Sequence, residues 1–157
     1  MLHIPKAIRY KKLDISSPVF IDSEMIPVKY TCEGENINPP LDIKNIPEEA
    51  ASLVLIVDDP DTPINTWVHW TVWNIPITHH IKENSIHGVE GRNDFGQQHY
   101  SGPGPPAGTH RYFFKIYALN SLIDLPGNAT KLQLEKAMSE HIVAFGELIG
   151  LYRKKNK

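Results

Sequence analysis

Three acidic side chains stand within four positions in the stretch VDDPDTP, directly after an apolar run at residues 53–57. They are Asp58, Asp59 and Asp61, and two prolines stiffen the backbone around them. Carboxylates clustered where a buried strand ends can bind a metal ion, act as a catalytic acid pair, line a binding pocket or form a rigid turn. A turn alone would account for Asp58, since aspartate readily bonds to its own backbone. These residues by themselves leave the four alternatives open.

Two histidines on later segments could complete a site with these carboxylates. His69 lies in a tryptophan-rich segment at residues 66–75, and His110 opens a segment that runs to residue 119. His69 is either a core histidine satisfied by one hydrogen bond or a functional ring. If these segments form neighbouring strands, a carboxylate, two imidazoles and the phenol of Tyr112 converge at one end of a sheet.

Familiar catalytic and metal-binding motifs are absent from the sequence. It contains no H-E-x-x-H, no cysteine pair, no G-x-S-x-G and no G-x-x-x-x-G-K-[ST]. The loop at residues 102–109 is rich in glycine, but its three prolines lack an N–H group, so it does not form a phosphate nest of the P-loop kind. Histidine with carboxylate, without a nucleophile or a metal, fits ligand binding better than turnover. We therefore expect no catalytic residue, no metal and no cofactor.

The composition predicts one globular domain over residues 1–157. Apolar residues make up 41% of the chain and charged residues 22%, and the net charge of −2 offers no footprint for nucleic acid. Cys32 is the only cysteine, which excludes an internal disulfide and fits a reducing compartment. The first 15 residues do not resemble a signal peptide, and no apolar run is long enough to span a membrane. We expect a cytoplasmic protein, monomeric or homodimeric, with a solvated basic tail at residues 153–157.

Short apolar segments separated by 13 prolines and 10 glycines predict a β-rich domain. The expected strands are at about 13–20, 25–31, 39–45, 51–58, 66–75, 111–119 and 146–153. Strict alternation along 66–75 places Trp67, His69, Thr71 and Trp73 on one face, and Val68, Trp70, Val72 and Asn74 on the other.

One helix is predicted at about 130–144, because Thr130 and Gln133 form a capping box and apolar residues recur at helical spacing as far as Phe145. Gly146 would end it, and a second, short helix is possible near 83–87. The expected fold is a β-sandwich with one or two peripheral helices.

Three extended segments, in this order, resemble the phosphatidylethanolamine-binding protein family. They are D-P-D-x-P (59–63), W-V-H-W-x-V-x-N-I-P (67–76) and G-P-x-P-P-x-G-x-H-R-Y-x-F-x-x-Y-A-L (102–119). An earlier segment, E-x-I-P-x-x-Y-T-C-x-G-x-N-x-x-P-P-L (24–41), and the closing E-L-x-G-x-Y (147–152) extend the likeness over nearly the whole chain. The sequence is identified as a member of the prokaryotic branch, the Raf-kinase-inhibitor-like proteins.

The resemblance implies a large antiparallel sheet packed on a smaller one, with a small cavity that accepts phosphate, acetate or a phosphoryl head group. The residues that it implies at this cavity are Asp59, His69, Pro105, Pro106, His110 and Tyr112, with Asp61 nearby. It also implies that Arg111 pairs with an acid such as Asp61 and supports the loops rather than the ligand.

The function expected from these features is non-enzymatic binding of a small anion, with regulation of a partner such as a kinase or protease as a further expectation. Inhibition of serine proteases or kinases through a surface loop is an alternative, and a hydrolase using Asp59, His69 and His110 is a weaker one. Because a carboxylate repels an anion, Asp59 is expected either to be partly protonated or to orient a charged His69. Affinity should then fall as pH rises through about 6–8.

Overall fold

The structure, a computed structural model, describes residues 10–154. The first nine residues and the last three residues of the predicted basic tail lie outside the described residues.

Within residues 10–154 the chain forms ten strands, one α-helix and one 3₁₀ turn. The strands are β1 (Lys11–Lys12), β2 (Asp14–Ser16), β3 (Glu24–Met25), β4 (Leu41–Lys44), β5 (Ser52–Asp59), β6 (Trp67–Ile75), β7 (His80–Ile81), β8 (Val89–Glu90), β9 (His110–Leu119) and β10 (Ile142–Tyr152). The 3₁₀ turn covers Val28–Tyr30, and the helix α1 covers Lys131–Met138. No helix in the described part of the chain is long and apolar enough to cross a membrane.

The strands form a seven-stranded sheet and a three-stranded sheet. The large sheet has the order β1-β10-β9-β5-β6-β8 and is antiparallel from β10 to β8, while β1 and β3 both pair in parallel with β10. The small sheet has the order β2-β4-β7. Apolar residues of both sheets share one buried core, so the predicted mainly β sandwich is confirmed.

The centre of the large sheet is β5, which is buried at every position. Leu53, Leu55 and Val57 face the core shared with the small sheet, whereas Val54 and Ile56 belong to a second core that includes α1 residues. This arrangement explains the uninterrupted apolar run in the sequence, because both faces of a central strand must be covered.

The regular pairing of β6 with β5 is interrupted near the end of β5. Val57 pairs with Trp70 and Asp58 pairs with Val68, which leaves His69 as an extra residue opposite the partner strand. An extra residue of this kind is a β-bulge, which bends a strand and re-aims a side chain.

The bulge corrects the predicted face of His69. Its ring lies edge-on to Tyr112 with the ring centroids 5.3 Å apart, and Tyr112 lies with Trp70 in the core between the sheets. Trp73, which strict alternation placed on the same face as His69, lies instead in the core that includes α1 residues. The bulge therefore places His69 on the side of the sheet that carries Tyr112.

The helix begins as predicted and ends earlier. Thr130 and Gln133 form the expected capping box, but α1 stops at Met138 and β10 begins at Ile142. Long-range pairing with β9 overrides the local helical period here, because it supplies a full ladder of backbone hydrogen bonds. Gly146 lies within β10, where an added Cβ would come 2.2 Å from the carbonyl oxygen of Leu13.

Other predicted boundaries are also wrong. The short helix near 83–87 is absent, since this part of the chain contains only a turn at residues 83–84. The strand predicted at 25–31 is a two-residue strand followed by a 3₁₀ turn after Pro27, and the strand predicted at 13–20 is reduced to residues 14–16. Proline explains the shortening, because it cannot donate to a ladder and restricts its neighbour.

Candidate anion-binding site

Three neighbouring strands bring the predicted polar residues to one end of the large sheet. Asp59 ends β5, His110 begins β9 on one side, and His69 lies near the start of β6 on the other. The exposed fractions of these residues are only 2% for Asp59, 3% for His69 and 8% for His110. Segments distant in sequence thus place a carboxylate and two imidazoles together in a buried environment.

Asp59 is engaged by His110 and by its own turn. Its Oδ2 atom accepts a hydrogen bond from Nδ1 of His110 at 2.6 Å, and its Oδ1 atom accepts the backbone N–H of Asp61 at 2.7 Å. Both oxygens act as acceptors, which is how an ionised carboxylate behaves. The expectation that Asp59 orients His69 is wrong, because the ring that it orients belongs to His110.

His69 is oriented by a backbone carbonyl. Its Nδ1 atom lies 2.6 Å from the carbonyl oxygen of Ser101, and since a carbonyl can only accept, Nδ1 carries the hydrogen. Nε2 has no hydrogen-bond partner within residues 10–154. Burial lowers the pKa of His69 below its ordinary value, and the opposing effects of the Ser101 carbonyl and Asp59 are smaller. The ring is therefore a neutral imidazole at neutral pH.

The lowered pKa of His69 changes the expected pH dependence. A window centred on about pH 6–8 assumed an ordinary or raised value. Because burial favours the neutral ring, an imidazolium forms only at lower pH.

Tyr112 packs against both imidazoles. Its ring lies edge-on to His69 and nearly parallel to His110, at centroid distances of 5.3 and 6.4 Å. Burial, followed by the charge of Asp59, raises the pKa of the Tyr112 phenol above its ordinary value. The phenol is thus neutral and can offer a hydrogen.

The glycine-proline loop borders this group. Pro105 is buried and Pro106 is exposed, so only the first of the two predicted loop residues is enclosed by protein. Gly104 passes against Cys32, where an added Cβ would come 2.4 Å from the sulfur, and the N–H of Cys32 bonds to the carbonyl of Pro103 at 2.9 Å. A glycine is needed at 104 because the backbone runs too close to Cys32 for a side chain.

Arg111 and Asp61 form the expected ion pair. Nε and Nη2 of Arg111 bond to the two carboxylate oxygens of Asp61 at 3.0 and 2.8 Å, and the backbone N–H of Arg111 adds a third bond at 2.8 Å. The Arg111 hydrogen bond lowers the pKa of Asp61. Both oxygens of Asp61 are committed to this brace between the acidic turn and β9, which favours support over ligand contact.

Sequence reasoning missed the residue that organises the site from behind, Asn93. It is 3% exposed, and its side-chain amide makes five hydrogen bonds. The partners are His69, Phe95, Gln97, His99 and Ser101. Asn93 therefore fixes the segment whose Ser101 carbonyl orients His69. The signal was the sequence Asn-Asp-Phe-Gly, which is typical of a turn in which asparagine bonds to the following backbone.

Two aromatic side chains form the exposed rim of the site. Trp67 is 36% exposed and Phe95 is 49% exposed, and their rings meet edge-to-face with centroids 5.6 Å apart. Phe95 also packs on His69, with centroids 5.4 Å apart. The rim thus offers apolar surface next to the buried polar groups.

Asp58 lies outside the site and is not a turn residue. It is 1% exposed within β5, and its Oδ2 atom accepts hydrogen bonds from Lys115 at 3.1 Å and from Lys131 at 3.0 Å. Lys131 belongs to α1, so Asp58 faces the helix. Its other oxygen, Oδ1, is buried without a partner among the described residues.

Metal binding has no support in the described part of the chain, where no group of three or more histidine, cysteine, aspartate or glutamate side chains could hold an ion. The metal alternative for the acidic stretch is therefore not favoured for residues 10–154. What these residues offer is a set of hydrogen-bonding groups around two imidazoles.

Comparisons with known proteins agree with this fold. A family profile described as phosphatidylethanolamine-binding protein matches residues 16–153. A UPF0098 protein of Pyrococcus abyssi is 51% identical over 150 residues, which cover 88% of this chain and 84% of the relative. A UPF0098 protein of Methanothermobacter thermautotrophicus is 43% identical over 150 residues, covering 90% of this chain and 99% of the relative.

Two solved structures are similar along nearly their whole length. A phosphatidylethanolamine-binding protein homolog from Chlamydia trachomatis superposes with a TM-score of 0.89 at 40% identity, covering 92% of this chain and 99% of that one. YbcL of E. coli, described as a member of the mammalian family, gives a TM-score of 0.84 at 30% identity, covering 91% and 99%. With the profile match over most of its length and relatives of this identity, the chain belongs to the phosphatidylethanolamine-binding protein family.

Proposed function

We propose that the protein binds a small anion, such as phosphate, a phosphoryl head group or a carboxylate, beside His69 and His110. The observation that carries this proposal is the pair of buried imidazoles, each committed through Nδ1 and each with an Nε2 atom that has no partner within residues 10–154. Neither Nε2 atom is among the fully buried polar atoms that lack a partner in the described residues, so both keep some access from outside, and two such nitrogens beside one tyrosine favour a place where a ligand completes the hydrogen bonding.

The burial of these groups supports a small ligand. His69, His110 and Tyr112 each expose less than a tenth of their surface, so a large group cannot reach them unless the loop moves. The exposed rim of Trp67 and Phe95 would contact whatever the anion is attached to.

Binding is favoured over turnover. An activated nucleophile needs a serine, threonine or cysteine bonded to a base, and in the described residues neither His69 nor His110 bonds to such a side chain. The hydroxyl of Ser101 is instead bonded by Asn93. These contacts favour binding over the hydrolase alternative that uses Asp59, His69 and His110.

Four expectations from the sequence stay predictions. They are a partner kinase or protease, inhibition through a surface loop, the oligomeric state and the cytoplasmic location. The described contacts favour none of the partners over another.

The test is calorimetric titration with inorganic phosphate at about pH 6, near the ordinary histidine pKa. We expect measurable binding by the natural protein and at least a tenfold weaker affinity in His69→Ala. His80→Ala is the matched control, because the side chain of His80 is 74% exposed on the small sheet and also bonds to a carboxylate through Nδ1. A thermal melt of each variant separates lost binding from lost folding, and His69→Phe, which keeps an aromatic ring without Nε2, replaces His69→Ala if the latter does not melt cooperatively. Equal phosphate affinity in the natural protein and in the folded His69 variant would overturn the proposal.

A further inference from the structure

We propose that the site selects anions that bring a proton of their own. The favoured class is the monoanion of phosphate or of a phosphate monoester, together with protonated carboxylic acids, and the disfavoured class is sulfate and phosphate diesters. This inference rests on the proposed function and defines the ligand of the same site.

The hydrogen-bonding geometry supplies the first step. His69 donates from Nδ1 to the carbonyl of Ser101, and His110 donates from Nδ1 to the carboxylate of Asp59, both at 2.6 Å. A neutral imidazole carries one hydrogen, so its other nitrogen is an acceptor. The neutral His69 ring therefore presents an Nε2 lone pair rather than a donor. An anion without hydrogens meets this lone pair.

The charges around His69 supply the second step. The carboxylates that act on its ring are Asp58, Asp59 and Asp94. The rings packed on it, Phe95 and Tyr112, carry no charge. No fixed positive charge therefore contacts His69 within residues 10–154.

Two cations of β9, Arg111 and Lys115, are engaged elsewhere. Arg111 is bound by both oxygens of Asp61, and Lys115 is bound by Asp58. Lys154 is exposed and runs past Gly104, where its Cε atom would lie 3.9 Å from an added Cβ. A fully ionised anion thus gains little from Arg111 and Lys115.

An anion that carries a hydroxyl hydrogen can donate it to the lone pair of His69 Nε2. The P–O–H group of a phosphate monoanion donates to Nε2 of His69, and its remaining oxygens can accept the hydroxyl of Tyr112. Sulfate and phosphate diesters have no hydrogen to donate near neutral pH, so they require His69 to become an imidazolium, which burial opposes. A site built around a hydrogen bond discriminates strongly against a ligand that cannot make it.

The two classes therefore differ in their response to pH. His69 must take up a proton when sulfate binds. The affinity for sulfate therefore falls about tenfold for each pH unit above the folded pKa of His69. The phosphate monoanion brings the proton, so its affinity stays constant until phosphate itself loses its second proton near neutral pH. Between these two points the ratio of phosphate to sulfate affinity increases with pH.

The experiment measures the affinities of inorganic phosphate, methyl phosphate, sulfate and dimethyl phosphate by calorimetry between about pH 5 and pH 7, a range that spans the ordinary histidine pKa. We expect phosphate and methyl phosphate to bind at least tenfold more tightly than sulfate and dimethyl phosphate at about pH 6.5. The diester arm separates an intact phospholipid head group from a free phosphate or monoester. Equal affinities for all four probes at every pH would overturn the selection and leave the proposed function standing, whereas binding of none of them would overturn the proposed function itself.

The variant His69→Gln tests the role of the Nε2 atom of His69. His69→Gln places an amide near the position of Nε2, and this amide can rotate to offer N–H to an anion without proton uptake. We expect the phosphate-to-sulfate ratio to fall towards one and sulfate binding to lose its pH dependence, while His80→Gln leaves both unchanged. A ratio that stays high in a folded His69→Gln variant contradicts the role of His69.

If His69→Gln does not fold, the number of protons that the natural protein takes up on binding each anion tests the proposal. Titration in two buffers of different ionisation enthalpy at about pH 6.5, the ordinary histidine pKa, gives the number of protons taken up. We expect close to one for sulfate and clearly fewer for phosphate, and equal uptake for both contradicts the proposal.

Discussion

Asp58 and Asp59 are consecutive residues at the end of β5, and they meet opposite surroundings. Asp58 faces α1 and accepts hydrogen bonds from the ammonium groups of Lys115 and Lys131. Asp59 lies on the other face and accepts a hydrogen bond from the ring of His110. The alternation of a strand thus separates two carboxylates that look equivalent in the sequence.

The difference lies in what each pair can do. A carboxylate held by two lysines, one of them on the helix, joins the helix to the sheet. A carboxylate held by histidine orients the His110 ring, next to a second imidazole on the bulge. We therefore propose a structural role for Asp58 and a role in binding for Asp59.

The largest expected effect concerns Asp58 and the stability of the fold. Asp58→Asn removes the charge that two partly buried lysines share, and we expect it to lower the free energy of unfolding by about 2 kcal/mol. Phosphate affinity should stay within about twofold, because Asp58 faces away from the site. Urea denaturation measures the first quantity and calorimetry the second.

Asp42→Asn is the matched control for Asp58→Asn. The side chain of Asp42 is 33% exposed and pairs with His80, so we expect a loss below about 1 kcal/mol. If Asp58→Asn abolished phosphate binding while leaving stability unchanged, the assignment of the two carboxylates would have to be reversed.

The parts of the fold that follow from local pattern could be predicted from the sequence. The apolar run of β5 requires cover on both faces, and the capping box at Thr130 marks the start of α1 by its own hydrogen bonds. The ion pair of Arg111 with Asp61 was expected from the family resemblance rather than from spacing.

The parts that depend on pairing between distant segments could not be predicted. The bulge at His69 exists only in the register with β5, and the early end of α1 depends on the pairing of Ile142 with Leu119. The lysine partners of Asp58 lie 57 and 73 residues away, so its sequence neighbourhood suggested a turn. Asn93 was missed because its five bonds converge only once its own turn is folded against β6.

A second prediction concerns the pH dependence of the free energy of unfolding, which His69 should influence. Burial lowers the pKa of His69 in the folded protein, so the unfolded chain binds a proton at this residue over a range where the folded chain does not. Stability is therefore complete above about pH 6.5 and falls as pH decreases towards the folded pKa, by at most about 1.4 kcal/mol per pH unit.

The measurement is urea denaturation of the natural protein and of His69→Gln between about pH 5 and pH 7, in a buffer free of phosphate and sulfate. The difference between the two curves isolates His69 from the other histidines. Parallel curves would show that His69 does not titrate with folding, and the neutral ring on which the ligand selection depends would lose its support.

The smallest expected effect concerns the brace between Arg111 and Asp61. Arg111→Lys keeps the positive charge and removes the two-pronged hydrogen bond to Asp61. Because the Arg111 side chain is 52% exposed, solvent screens this ion pair and we expect only a small loss in the free energy of unfolding. The backbone N–H of Arg111 still bonds to Asp61, so the turn that carries Asp59 stays in place and phosphate affinity should change by less than about twofold. A large loss of phosphate affinity with unchanged stability would mean that Arg111 contacts the anion itself, and the site would then contain the permanent cation that its selection for proton-carrying anions excludes.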